Sequence, residues 1–123
     1  MDILAQADAF FDGNRERWEL FEALRQSLLR AWPQTSLRVM KTCIAFDDPK
    51  PYCYVSLPRR SMLSGRNPSS LLVSVSLDAP QENPRFFAVA AVSKRRYTAH
   101  IILQNCGEID DEFLGWVARS HCR

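Results

Sequence analysis

His100 is the side chain of this sequence best suited to acid–base chemistry. It falls within Tyr97–Leu103, where alternation puts it on one side with Thr98 and Ile102 and leaves Ala99 and Ile101 on the other. An imidazole there can act as a general base or donate to an anion; the plainer role is a hydrogen bond within a sheet. Lys41 and Arg85 begin or join strand-like segments, and Arg96 opens the segment that carries Tyr97 and His100. Brought together, Lys41, Arg85, Arg96, Tyr97 and His100 would form a ligand pocket for a carboxylate or phosphate, which guanidinium groups grip through paired hydrogen bonds. Left apart, the cations are solvated edge charges of the kind that stop sheets from sticking together. An enzymatic version makes His100 the acid/base, with Lys41 and Arg85 stabilising negative charge. The residues alone identify no catalytic group.

Arg59 and Arg60, with Arg66, and Lys94 and Arg95 form basic clusters in connecting segments. They could hold nucleic-acid phosphates, with Tyr52, Tyr54 and Tyr97 stacking on bases. A sequence pI near 8.4 is mild for that work, so solvated hairpin tips are the simpler expectation. The four cysteines, Cys43, Cys53, Cys106 and Cys122, make no C-x-x-C pair and stand at no zinc spacing from His100 or His121. No metal or cofactor is expected. Cys43 and Cys53 could face each other across a hairpin and so permit a disulfide, although burial as small hydrophobes is the default for free cysteine. The acidic run Glu108–Glu112 suits the start of a helix, where carboxylates meet the positive end of the dipole.

These side chains need a scaffold, and the sequence describes a small one. At 123 residues and 46% hydrophobic, the chain closes one core. No stretch approaches the about 20 apolar residues of a membrane span, and Met1-Asp2-Ile3-Leu4-Ala5 lacks the features of a signal peptide. A cytoplasmic location with reduced thiols is the expectation, without a membrane partner. The charge is unevenly spread. Residues 1–33 carry four Lys/Arg against six Asp/Glu, residues 34–104 carry ten against four, and residues 105–123 carry two against four. The middle is therefore basic and both ends acidic.

Helices are expected over about 2–11 and 15–32, the first stopped by Asp12-Gly13 and the second opened by Asn14. Trp18, Phe21, Leu24, Leu28 and Trp32 give the second helix one buried face. Six short segments between 36 and 103 are rich in Val, Ile and aromatics and bounded by turn residues, and Leu71–Leu77 alternates as a strand with one buried face should. A last helix over about 106–120 would be opened by Asn105 with Glu108 as a capping box and carry Ile109, Phe113, Leu114, Val117 and Ala118 inward. The order predicts an α+β domain: a mainly antiparallel sheet of five to six short strands, with two N-terminal helices and one C-terminal helix packed on it.

From Lys41 onward the chain also resembles the bacterial and archaeal family of domain of unknown function 5655. The resemblance is carried by Lys41-Thr42-Cys43-Ile44-Ala45-Phe46, by Pro84-Arg85-Phe86, by Arg96–Leu103 and by Glu108–Val117, in that order and spacing, within residues 15–120. Cys106-Gly107 and Ser120-His121-Cys122 depart from the family's usual helix ends. The resemblance implies the same α+β fold and brings no activity with it. The function expected is a binding or interaction module for an anionic small molecule, a nucleic acid or an acidic protein surface. The alternatives are the enzyme built on His100, and a homodimer that uses an exposed sheet face and Trp116.

Overall fold

A computed structural model describes residues 2–123. Helix α1 (Ile3–Phe10) starts where Asp2 accepts from the Leu4 and Ala5 amides. It stops at Asp12 and Gly13, both in the left-handed region at φ 50° and 79°. Asn14 then caps α2 (Arg15–Ala31) by accepting from Arg17 N–H at 3.0 Å. Leu20, Phe21, Leu24 and Leu28 of α2 are buried.

Strands β1 (Ser36–Val39), β2 (Ile44–Asp47), β3 (Pro51–Ser56), β4 (Leu71–Leu77), β5 (Phe86–Ser93) and β6 (Arg96–Leu103) precede α3 (Asp111–His121). All neighbours are antiparallel, in the order β1-β2-β3-β4-β6-β5. The expected α+β architecture is therefore the observed one. Leu71, Val73, Val75 and Leu77 of β4 point into the core with Ile44, Phe46, Val55, Ala99, Ile101 and Leu103. Helices α2 and α3 pack on that face. The intervening residues, Leu72, Ser74 and Ser76, point to the other face, on which none of the described α-helices packs. One row of cross-strand partners crosses that open face from edge to edge: Arg38, Ala45, Tyr54, Ser74, His100 and Ala88.

Two bulges change which way particular side chains point. Between the pairs Phe46–Cys53 and Asp47–Pro51, β3 has one residue more than β2, namely Tyr52. Tyr52 turns to the helical side, 5.2 Å from Trp32 and 4.9 Å from His121 between ring centres. The break in the ladder is filled from α3, where Ser120 Oγ accepts from Ser76 N–H (2.9 Å) and donates to the Tyr52 carbonyl (2.6 Å). In β5 the extra residue is Phe87, between the pairs Phe86–Ile101 and Ala88–His100.

Three expectations need correction. The last helix begins at Asp111, and Asp110 caps it by accepting from Phe113 N–H at 3.0 Å. Residues Cys106–Glu108 form a separate 3₁₀ turn without a side-chain cap from Asn105, and Glu108 instead accepts from the Gln104 amide. The inward stripe of α3 is consequently Phe113, Trp116, Val117 and Ser120. Trp116 is buried against Phe86, so it is a core residue and offers no exposed contact to a second copy. Finally, Cys53 stands opposite Phe46, three residues along β2 from Cys43, and both thiols are free. Burial pushes the Cys53 thiol up to about 12, which leaves it inert.

Candidate functional site

The open face acquires a cleft because the long connection from β3 to β4 folds over it. Asn67 anchors that connection, donating from its backbone to Gln104 Oε1 (3.0 Å) and from its side chain to the Gln104 carbonyl and Glu16 (both 2.9 Å). Arg17 of α2 adds bonds to the carbonyls of Pro68 and Ser70, both 3.1 Å. Held at its far end, the connection places Leu57, Arg59 and the 3₁₀ turn Arg60–Leu63 beside β4, β6 and β5. The result is a cavity of about 430 Å³ lined by Leu57, Arg59, Met62, Leu72, Phe87, Ala88, Ala90 and His100. Its walls are apolar except for Arg59 and His100.

His100 Nδ1 lies 2.8 Å from Ser74 Oγ, its neighbour across the strand pair. Partial burial holds the imidazole below its ordinary pKa, so it is neutral near pH 7. When the Ser74 hydroxyl donates to Nδ1, the ring proton sits on Nε2, and His100 keeps one N–H donor for a ligand. The floor of the cleft is otherwise Leu72 and alanines, whose small side chains leave the volume empty.

The cations named from sequence are dispersed. Arg85 Nη1 bonds Asp110 (2.9 and 3.1 Å) and Glu112 (3.0 Å), and its Nη2 reaches the Glu108 carbonyl (2.7 Å). The Arg85 hydrogen bond in turn holds the Asp110 carboxyl below the usual carboxylate range. Arg85 therefore clamps β5 to the start of α3 and stacks over Trp116. Lys41 lies in the exposed turn between β1 and β2. Three strand spacings, about 14 Å, separate β2 from the strand of His100. Tyr97 points to the helical side, packed against the core. The grouping of Lys41, Arg85 and His100 does not form, because parity and strand order send them to three places.

Arg96 shares the open face with His100 but lines a different cleft, of about 260 Å³, with Lys50, Tyr54, His121 and Arg123. Lys94 and Arg95 are exposed at the β5–β6 turn, and Arg60 is exposed on the 3₁₀ turn. A third and larger cavity, about 470 Å³, lies at the β5–α3 corner and includes Arg66, Arg85, Gln104 and Glu108. Its charges are already answered: Arg85 by carboxylates, Arg66 by the Met62 carbonyl at 2.9 Å and by the Phe87 ring. The His100 cleft is smaller but retains an uncommitted guanidinium in Arg59, so it has more to offer a ligand.

Two participants were not grouped with His100 by the sequence, which offered Arg59 only as a nucleic-acid candidate. Arg59 lines the same cleft as His100 from 41 positions away in the chain, and no local pattern announces that the two share it. Phe87 could have been suspected, because adjacent aromatics such as Phe86-Phe87 cannot both face the core of a regular strand. Among the described residues no group of three or more His, Cys, Asp or Glu side chains is placed to hold a metal ion. No described helix is long and apolar enough to cross a membrane.

No curated protein and no solved structure matches the chain. One family profile does, that of the domain of unknown function DUF5655, over residues 7–122. That match runs from within α1 to the end of α3 and takes in every residue of the His100 cleft, and the chain belongs to the DUF5655 family.

Proposed function

We propose that this domain is a binding module whose open sheet face takes a small anionic ligand with an apolar or aromatic body. The observation that carries this reading is the pairing of one uncommitted guanidinium, Arg59, with an otherwise apolar cavity of about 430 Å³. The apolar body would rest between Leu57, Met62, Leu72 and Phe87, and its anionic group would meet Arg59 and the His100 N–H.

The Ser74–His100 contact is the one feature that favours an enzyme, since a histidine can activate a hydroxyl. Ser74, however, lies mid-strand with partners on both sides, Tyr54 and His100. The surrounding backbone N–H groups belong to the ladder, which leaves no pair of donors to stabilise an oxyanion. Neither Lys41 nor Arg85 lines the cleft to replace them. Binding is the better supported role. A nucleic acid would need Lys94 and Arg95 as well, and the turn carrying them is five residues along β6 from His100, about 16 Å away.

Calorimetric titration with naphthalene-2-sulfonate, which stays ionised at every pH of interest, tests the proposal. The full chain should bind it, and Arg59→Ala should weaken binding by about tenfold. Affinity should rise as pH falls below about 6.5, because burial holds His100 under the ordinary imidazole value and its protonation adds a second cation beside the sulfonate. In His100→Gln that rise should vanish. Absence of binding, or equal affinity with and without Arg59, would rule the reading out.

A further inference from the structure

The two edges of the sheet are protected very differently. β1 is four residues long, carries Arg38, and has α1 packed against it. β5 is eight residues long and reads Phe-Phe-Ala-Val-Ala-Ala-Val-Ser. It contains no charge and no proline, the usual devices by which an edge strand refuses a partner. Phe87, Val89 and Val92 are 43%, 37% and 57% exposed, which is high for side chains of this type. Between its bulges, alternate residues of β5 turn their N–H and C=O groups away from β6 and into solvent.

The geometry points to a homodimer in which β5 pairs antiparallel with β5 of a second copy, about a two-fold axis at Val89. Two six-stranded sheets then become one continuous sheet. A two-fold axis perpendicular to the sheet keeps the helices of both copies on the same side, and between the bulges at Phe87 and Val92 it lets each residue meet one from the same face. With Val89 on the axis, Val89 meets its own counterpart and Ala88 meets the counterpart of Ala90. A cleft of about 380 Å³, lined in part by Phe86, Val89, Ala91 and Tyr97, runs beside this stretch. The counterpart of Val89 would lie against it.

Charge selects a second copy over an unrelated peptide. In this register the turn carrying Lys94 and Arg95 of one molecule arrives at the end of the other's β5 that follows Asn83, Pro84 and Arg85. There, Asn83 bonds Glu112, and Arg85 bonds both Asp110 and Glu112. Glu82, beside Asn83, and Asp111, beside Asp110, bring the carboxylates here to four, against two cations, Arg85 and the Arg119 that bonds Gln81 at 3.2 Å, so the acidic charge is not balanced. One end of β5 is thus basic and the other acidic, and antiparallel self-pairing satisfies both ends twice. A parallel pairing would set like ends together. The dimer would also bring two His100 clefts onto one shared face.

Sedimentation of the full chain at micromolar concentration tests the inference. The expected mass is twice the 14.1 kDa of one chain. Val89→Lys, which places a charge on the edge, should return the protein to monomer while circular dichroism remains that of the parent. The double variant Lys94→Glu, Arg95→Glu lies on an exposed turn and keeps the core untouched. It should weaken dimerisation by roughly tenfold or more and reverse its salt dependence. A monomeric parent would overturn the inference. So would a dimer insensitive to the double variant, or assemblies without a defined stoichiometry.

Discussion

Phe21→Ala is expected to lower stability by about 3–5 kcal/mol, the range for removing a large aromatic ring from a core. Phe21 is fully buried, with ring centres 5.2 Å from Phe11, 5.7 Å from Trp18 and 5.7 Å from Phe46. It thereby joins α1, α2 and β2 through one side chain. Aromatic contacts of this kind add to the area that the ring buries. The surrounding rings are fixed on three separate elements, so they cannot collapse fully into the space left behind. Domains of this size are held by about 5–15 kcal/mol in total, and the variant should lose a large share of that. Urea denaturation followed by tryptophan fluorescence measures the loss. A change below about 1 kcal/mol would mean that the aromatic cluster is not the centre of the core.

Ser120→Ala should cost about 2–4 kcal/mol, although it removes a single oxygen. The Ser120 hydroxyl is buried and fills the gap that the Tyr52 bulge opens between β3 and β4. Without it the Ser76 N–H and the Tyr52 carbonyl both lose the Ser120 hydroxyl as partner, and each unpaired buried group costs about 1–3 kcal/mol. Ser27→Ala provides the contrast. Its hydroxyl bonds only the Ala23 carbonyl of its own helix, one turn back. That carbonyl keeps its helical partner, so the change should stay within about 0.5 kcal/mol. Denaturation midpoints of the two variants, measured side by side, decide the matter. Equal losses would show that Ser120 is an ordinary buried serine and that the bulge is satisfied in some other way.

What the sequence made legible follows from periodicity. The alternation of Leu71–Leu77 told which side chains of β4 enter the core, and the same parity put His100 with Thr98 and Ile102 on the other face. The start of α3 was less legible because two capping signals compete within a few residues. Asn105 with Glu108 has the spacing of a capping box, but Gly107 weakens a helix there. Asp110 sits directly before Asp111, Glu112 and Phe113, and it makes the bond that counts. The five-residue error went with a misplaced inward stripe that left Trp116 outside it. Bulges were invisible, since one extra residue in a strand leaves no trace in composition, yet those at Tyr52 and Phe87 determine where both aromatics point. The candidate site was half legible: parity found His100, while Arg59 arrives from a connection whose path depends on Asn67, Gln104 and Arg17.

The same reasoning explains why Arg85 was misleading. A cation next to a strand start looks free in sequence, and the acidic run Glu108–Glu112 looks like capping alone. Packing α3 across the end of β5 joins the two, and the guanidinium is spent on Asp110 and Glu112. Charges drawn together from distant segments neutralise each other first, and only the remainder is available to a ligand.

The central claim is that the helix-free face of the sheet is the face that binds. Two-dimensional NMR of the isotopically labelled domain during titration with naphthalene-2-sulfonate tests it most directly. The account predicts that signals of Met62, Leu72, Ser74, Ala88 and His100 move together, while those of Leu24, Val75 and Val117 on the helical side stay in place. Movement confined to the corner between Arg85 and Glu108, or to the helical side, would contradict it.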